Sequence, residues 1–263
     1  MELVAKISKG SRMDQIYIPK NRPGLRIGSY VLIQPLETKQ ETTPYHFYHV
    51  PVLEPLKLQL MDQIVAIVDS VVPKYENILF VGSFLESGFS FNDVDILLIT
   101  ENKVPISVIK HNVMLHLRVH LDLLVLTTKT LLRGLATDPL YQMMLSKCVA
   151  KKRFLYYAKR KIDYKLLDLH LLQSKVILLN FDALTGNQKY ALARNMLAIR
   201  LFLQSKKITK EQVDKSLCAS FNLKTIQQLK DNLSDKKAFL IVYRKIYDQL
   251  FQTILRGAQH GSE

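Results

Sequence analysis

Apolar residues recur at helical spacing through the second half of the chain and in short runs before it. In 189–204, Leu192, Met196, Ile199 and Phe202 fall on one face, with Leu203 beside them. In 237–255, Phe239, Val242, Ile246, Leu250 and Ile254 do the same. No proline follows Pro139, and only Gly186, Gly257 and Gly261 interrupt that stretch as glycines, so long helices are permitted. Thr185-Gly186-Asn187-Gln188 predicts a turn between two of them. Further upstream, Leu56, Leu60, Ile64 and Val68 predict a helix over 55–71. The runs Ile78–Val81 and Ile96–Ile99 predict strands. In 115–125, Leu115, Leu117, Val119, Leu121 and Leu123 alternate with His116, Arg118, His120 and Asp122, which predicts a half-buried strand.

The first 36 residues are short β-rich runs, Leu3–Ile7, Gln15–Ile18 and Ser29–Ile33, separated by turn residues. Residues 37–53 lack apolar periodicity, contain two prolines and predict a linker. The expected fold class is α+β. A mixed sheet with flanking helices occupies about 54–135, a small β module precedes it over 1–36, and an all-helical domain follows over 136–263.

Composition narrows the class of protein. Of 263 residues, 48% are hydrophobic and 23% charged, enough apolar surface to offset the entropy that a disordered chain retains. No apolar run approaches the ~20 residues a membrane span needs, so no membrane partner is expected. The N-terminus does not have the form of a signal peptide. Two cysteines, Cys148 and Cys218, are too few and too far apart for a disulfide framework or a zinc site, and a reduced, cytoplasmic protein is expected. The net charge of +14 is unevenly placed: residues 1–36 carry +4, 37–135 carry −3 and 136–263 carry +13. Basic flanks favour polyanions through counterion release, or serve solubility alone, while a local acidic cluster favours a bound metal ion.

Candidate chemistry concentrates in 78–100. An apolar strand runs into Gly82-Ser83, and nine residues later Asp93 and Asp95 open the next strand. Residues i and i+2 of a strand share a face, so the two carboxylates project together. Such a pair repels itself unless a cation lies between, which is how proteins hold the magnesium of phosphoryl-transfer sites. Gly82 permits a phosphate to approach the backbone, and the Ser83 hydroxyl can bond a phosphate oxygen. Asp122 supplies a third carboxylate from a later strand.

Gly82-Ser83, the nine-residue spacing, Asp93-Val94-Asp95 and Asp122 together resemble the DNA polymerase β-like nucleotidyltransferase superfamily, over about 80 residues. The resemblance implies a nucleotidyltransferase-fold mixed sheet and transfer of a nucleotidyl group from an NTP to an acceptor hydroxyl. Two magnesium ions, or manganese in their place, would be held by Asp93, Asp95 and Asp122. Asp122 would also help activate the attacking hydroxyl, and Gly82 and Ser83 would bind the nucleotide. The chain departs from the pattern at Glu86, which stands where an arginine would grip the triphosphate.

Two further segments bear on partners. Lys6–Gly10, Ile16–Lys20 and Ile27–Val31 resemble the AbrB/SpoVT swapped-hairpin module, which implies a homodimer through residues 1–36 and makes Lys9, Arg12, Lys20 and Arg22 candidate DNA contacts. Residues 151–165 hold seven basic and four aromatic residues. If helical, this segment sets Lys152, Tyr156, Lys159 and Arg160 on one side, a candidate nucleic-acid surface or a plain solvated helix. The alternative to the enzyme is a DNA-binding regulator or antitoxin-like protein whose nucleotidyltransferase fold is inactive.

Overall fold

A computed structural model describes residues 7–11, 13–18, 27, 45–50, 52–156 and 158–260. The chain divides into two compact units, Met1–Glu41 and Thr42–Glu263. In the first, strands β1 (Ile7–Ser8) and β2 (Gln15–Ile16) form an antiparallel hairpin pairing Ile7 with Ile16. Lys9 is exposed in the connection. Arg12, Lys20 and Arg22 lie outside the described residues, as does the third run of the expected module apart from Ile27.

The second unit begins with β3 (His46–Tyr48) and α1 (Pro55–Val71). Then come β4 (Asn77–Val81), β5 (Asp93–Ile99), α2 (Ile106–Leu117) and β6 (His120–Leu126). Helices α3 (Thr128–Thr137) and α4 (Pro139–Leu145) lead to β7 (Cys148–Ala150). The sheet order is β3-β7-β4-β5-β6, antiparallel except between β5 and β6, which are joined through α2. The architecture is α+β with a mixed sheet. Two short strands fall outside the expected sheet segment: β3 lies within the expected linker and β7 within the expected helical domain. Each has three residues, too few to show a period.

Strand β4 is central, and all five of its residues are buried. Its Ile78 and Phe80, with Val94, Ile96, Leu98, Leu121 and Leu123, pack against Met61, Ile64 and Val68 of α1 and Ile109 and Val113 of α2. On the other face Leu79, Val81, Leu97, Ile99 and Leu126 pack with Leu131 of α3 and Leu145 of α4. Helix α1 is rotated from the expected stripe. Leu56 is exposed, whereas Lys57, Met61, Ile64, Val65 and Val68 are buried. The expected strand over 115–125 begins later, because Leu115 and Leu117 belong to α2. That helix stops at Arg118 in a left-handed conformation, φ 57°.

The remaining chain is helical: α5 (Tyr164–Ser174), α6 (Val176–Asn180), α7 (Gly186–Leu203), α8 (Lys210–Phe221), α9 (Ile226–Lys230) and α10 (Lys236–His260). Their core includes Leu167, Leu171, Met196, Leu197, Phe202 and Tyr243, whose hydroxyl donates to the Ser174 carbonyl at 2.8 Å. The expected turn at 185–188 is the start of α7. Thr185 Oγ1 accepts the Gln188 N–H, and Gln188 Oε1 accepts the Thr185 N–H at 2.8 Å, a reciprocal cap. Thr185→Ala is expected to lower stability by about 1 kcal/mol in urea unfolding, since it leaves a helix-end donor unpaired. Among the described residues no helix is long and apolar enough to cross a membrane.

Candidate active site

The site lies where β4 ends and β5 begins. Val81 pairs with Asp95 across the antiparallel ladder, and Asp95 pairs with Asp122 across the parallel one. Side-chain alternation then sets Asp93, Asp95 and Asp122 on the same face of the sheet. Val94 and Ile96 point the other way and are fully buried, which fixes this parity, because a one-residue slip would expose them. The register sets Asp122 beside Asp95 on the neighbouring strand, with Asp93 two residues earlier on the same face.

Gly82 leaves β4 with φ 80° and ψ −157°, a conformation that is essentially glycine's alone. A methyl group on its Cα would lie 1.9 Å from Asp95 Oδ2. The space expected to admit a phosphate to the Gly82 backbone is, on this side, filled by the Asp95 carboxylate. Ser83 follows, exposed, and opens a 3-10 turn over Ser83–Leu85 whose Phe84 and Leu85 are buried. The Glu86 N–H closes the turn on the Ser83 carbonyl at 3.0 Å.

Electrostatics distinguish the three acids. Burial, then the neighbouring charges of Asp93 and Asp122, push the Asp95 carboxyl up to about 6. Among the described residues neither Asp93 nor Asp95 takes part in an ion pair. Asp122 is mostly exposed and lies 3.4 Å from Lys110 Nζ of α2. Among the described residues no group of three or more His, Cys, Asp or Glu side chains is gathered tightly enough to hold a metal ion by itself. Asp93 and Asp95, with Asp122 on the neighbouring strand, offer hard carboxylate oxygens. That chemistry suits magnesium, which keeps waters and takes substrate phosphates alongside one or two carboxylates.

Sequence reasoning missed the group that holds the loop between β4 and β5. Lys57 is 1% exposed, yet its ammonium pairs with Glu54 at 2.9 Å and donates to the Glu86 carbonyl at 2.5 Å. It also lies 5.5–5.7 Å from the ring centres of Phe84, Phe89 and Phe91. Glu54 in turn accepts the Gly88 N–H at 2.6 Å. Both halves of the loop are thereby fastened to the start of α1. The spacing of Glu54 and Lys57 was the available signal, since i and i+3 residues meet on a helix.

The Glu86 side chain accepts from Lys147 at 3.0 Å and from Lys210 at 2.5 Å. Burial opposes its ionisation, but the two ammonium groups outweigh it and hold the carboxyl below its ordinary range.

The basic segment differs from expectation. Among the described residues of 151–163 there is no helix, so Lys152, Tyr156, Lys159 and Arg160 share no helical face. Lys152 lies over the Tyr75 ring and donates to the Tyr75 carbonyl, and Lys159 is exposed. Arg160 donates to the Phe202 carbonyl in the last turn of α7 at 3.2 Å and to the Lys206 carbonyl just past that helix at 2.8 Å, and stacks on Phe202. It is committed to the fold rather than free to contact a polymer.

Compared with known proteins, the chain matches no protein-family model and no curated relative.

Proposed function

We propose that the protein is a metal-dependent nucleotidyltransferase that moves a nucleotidyl group from an NTP to an acceptor hydroxyl, on a nucleic-acid end or a protein side chain. The observation that carries this is the contact of the Asp95 carboxylate with Gly82, with Asp93 and Asp122 on the same sheet face. It joins Asp95 to the Gly82-Ser83 turn, the two motifs on which the resemblance to polymerase β-like nucleotidyltransferases rests. Asp93 and Asp95 would hold the divalent ions, magnesium or manganese. When bound, such an ion polarises a phosphoryl oxygen and acidifies a hydroxyl. Ser83 orients the terminal phosphates through its hydroxyl. Asp122, exposed and beside Asp95, receives the proton of the acceptor hydroxyl. The hydroxyl oxygen bonds to the α-phosphorus, the bond to the bridging oxygen breaks, and pyrophosphate leaves.

The second reading, a DNA-binding regulator on an inactive fold, draws on Glu86 standing where the resemblance expects an arginine. One assay separates them. The protein is incubated with each labelled NTP, magnesium or manganese, and RNA, protein and small-molecule acceptors. Label on an acceptor with release of pyrophosphate is the expected result. Absence of transfer from every NTP with either metal would contradict the proposal.

A further inference from the structure

Lys147 and Lys210 come from different parts of the fold. Lys147 precedes β7, and Lys210 is the first residue of α8. They converge on the two oxygens of one carboxylate, Lys147 on Glu86 Oε2 and Lys210 on Glu86 Oε1. Their positions are braced: the Lys210 N–H donates to Ser146 Oγ at 3.2 Å, and Ser146 O lies 2.8 Å from His49 Nδ1. The β4–β7 register pairs Leu79 with Ala150 and Phe80 with Val149. Continued by two residues, it brings Lys147 opposite Gly82. The Lys147 side chain is 15% exposed and that of Lys210 30%, while the Glu86 side chain between them is 43% exposed. The carboxylate is therefore the outermost member of the cluster, the one an incoming anion meets first.

Glu86 lies one 3-10 turn beyond Ser83, about 6 Å along the chain, comparable to the reach of a polyphosphate tail. Strands β5 and β7 flank β4 on opposite sides, so Asp95 and Lys147 approach the Gly82-Ser83 turn from opposite sides, and Lys210 joins Lys147 on Glu86. A metal-bound triphosphate has that polarity, with cations needed at its terminal phosphates.

We propose that Lys147 and Lys210 form the terminal-phosphate site of this protein, and that Glu86 occupies it as an internal anion that the nucleotide displaces. This rests on the nucleotidyltransferase reading for its ligand class, but not for its test. Glu86 competes with the ligand, so affinity is reduced by the fraction of molecules in which the lysines are already paired. The arginine missing from the turn is replaced in charge by two lysines from elsewhere in the chain, and Glu86 sets how readily they are released.

The test is calorimetric titration of the full chain with inorganic tripolyphosphate, which requires no transfer. Glu86→Gln is expected to tighten binding about tenfold. Lys147→Ala or Lys210→Ala, added to it, is expected to reverse the gain. Asp182→Asn frees Lys236 from an exposed ion pair in the helical region and controls for net charge; it is expected to leave affinity unchanged. The proposal is overturned if Glu86→Gln binds no more tightly than Asp182→Asn, or if adding either lysine substitution leaves binding as tight as in Glu86→Gln alone. Should Glu86→Gln fail to fold, Lys147→Gln and Lys210→Gln in the native background carry the test. Each is expected to weaken binding at least about threefold, and unchanged affinity in both overturns the idea. If tripolyphosphate follows this pattern while no NTP is transferred, the anion site stands and the transferase reading fails.

Discussion

Asp95→Asn is expected to abolish nucleotidyl transfer, by about a thousandfold or more, while leaving the metal-free protein at least as stable as its parent. The loss follows from removing one of two carboxylates available to a divalent ion and to the charge that develops at the phosphate. The stability follows from the same crowding. Asp95 is half-buried with Asp93 and Asp122 nearby, and its carboxyl is pushed up to about 6 from an ordinary value of 3.8. A group raised in the folded state contributes stability that is fully present below pH 3.8 and is lost as the pH rises through about 6. At neutral pH the ionised carboxylate therefore works against the metal-free fold, by about 1 kcal/mol once its partial exposure is allowed for. Asn keeps the shape and removes the charge. Urea unfolding in EDTA should place the variant level with its parent near pH 4 and above it at pH 7.5. A variant that transfers nucleotide at the parental rate would remove Asp95 from the mechanism.

Gly82→Ala is expected to cost stability and activity together. The backbone there occupies a region that non-glycine residues enter at about 1–3 kcal/mol. The new methyl group would also meet Asp95 Oδ2 at 1.9 Å and Cγ at 2.8 Å, so the carboxylate must move. The two effects together should reach about 3 kcal/mol or more, with transfer reduced as severely as in Asp95→Asn. Gly88→Ala provides the comparison. Gly88 also has a positive φ, 77°, but a methyl group there would meet no atom within 4 Å. Its cost should be conformational only, about 1–2 kcal/mol. Equal losses in the two variants, measured by thermal unfolding and transfer rate, would show that the Asp95 contact plays no part.

Much of this site was legible before the structure, because strand parity is a strict rule. Once Ile96–Ile99 is a strand, Asp93 and Asp95 must share a face, and Asp122 reaches the same face through a second strand in parallel register. The start of that second strand was misplaced for a physical reason. Leu115 and Leu117 alternate with polar residues as a strand would, but Ile109, Val113 and Leu117 also stand at helical spacing, and α2 packs by that period. The burial of Lys57 follows from the loop that folds over α1, not from any pattern within α1. The partners of Glu86 lie 61 and 124 residues away, so no local rule would bring them together. Arg160 is similar: its basic neighbours suggested a polymer surface, whereas its guanidinium binds the carbonyls of Phe202, in the last turn of α7, and of Lys206, just past it.

If the acids beside Gly82 form a divalent-metal site, manganese titrated into the protein with ATP and followed by electron paramagnetic resonance at pH 7.5 should bind the parent. Binding should be weakened at least about tenfold by Asp93→Asn and by Asp95→Asn, with affinity rising as the pH passes through about 6. Binding that is the same in all three proteins would contradict it.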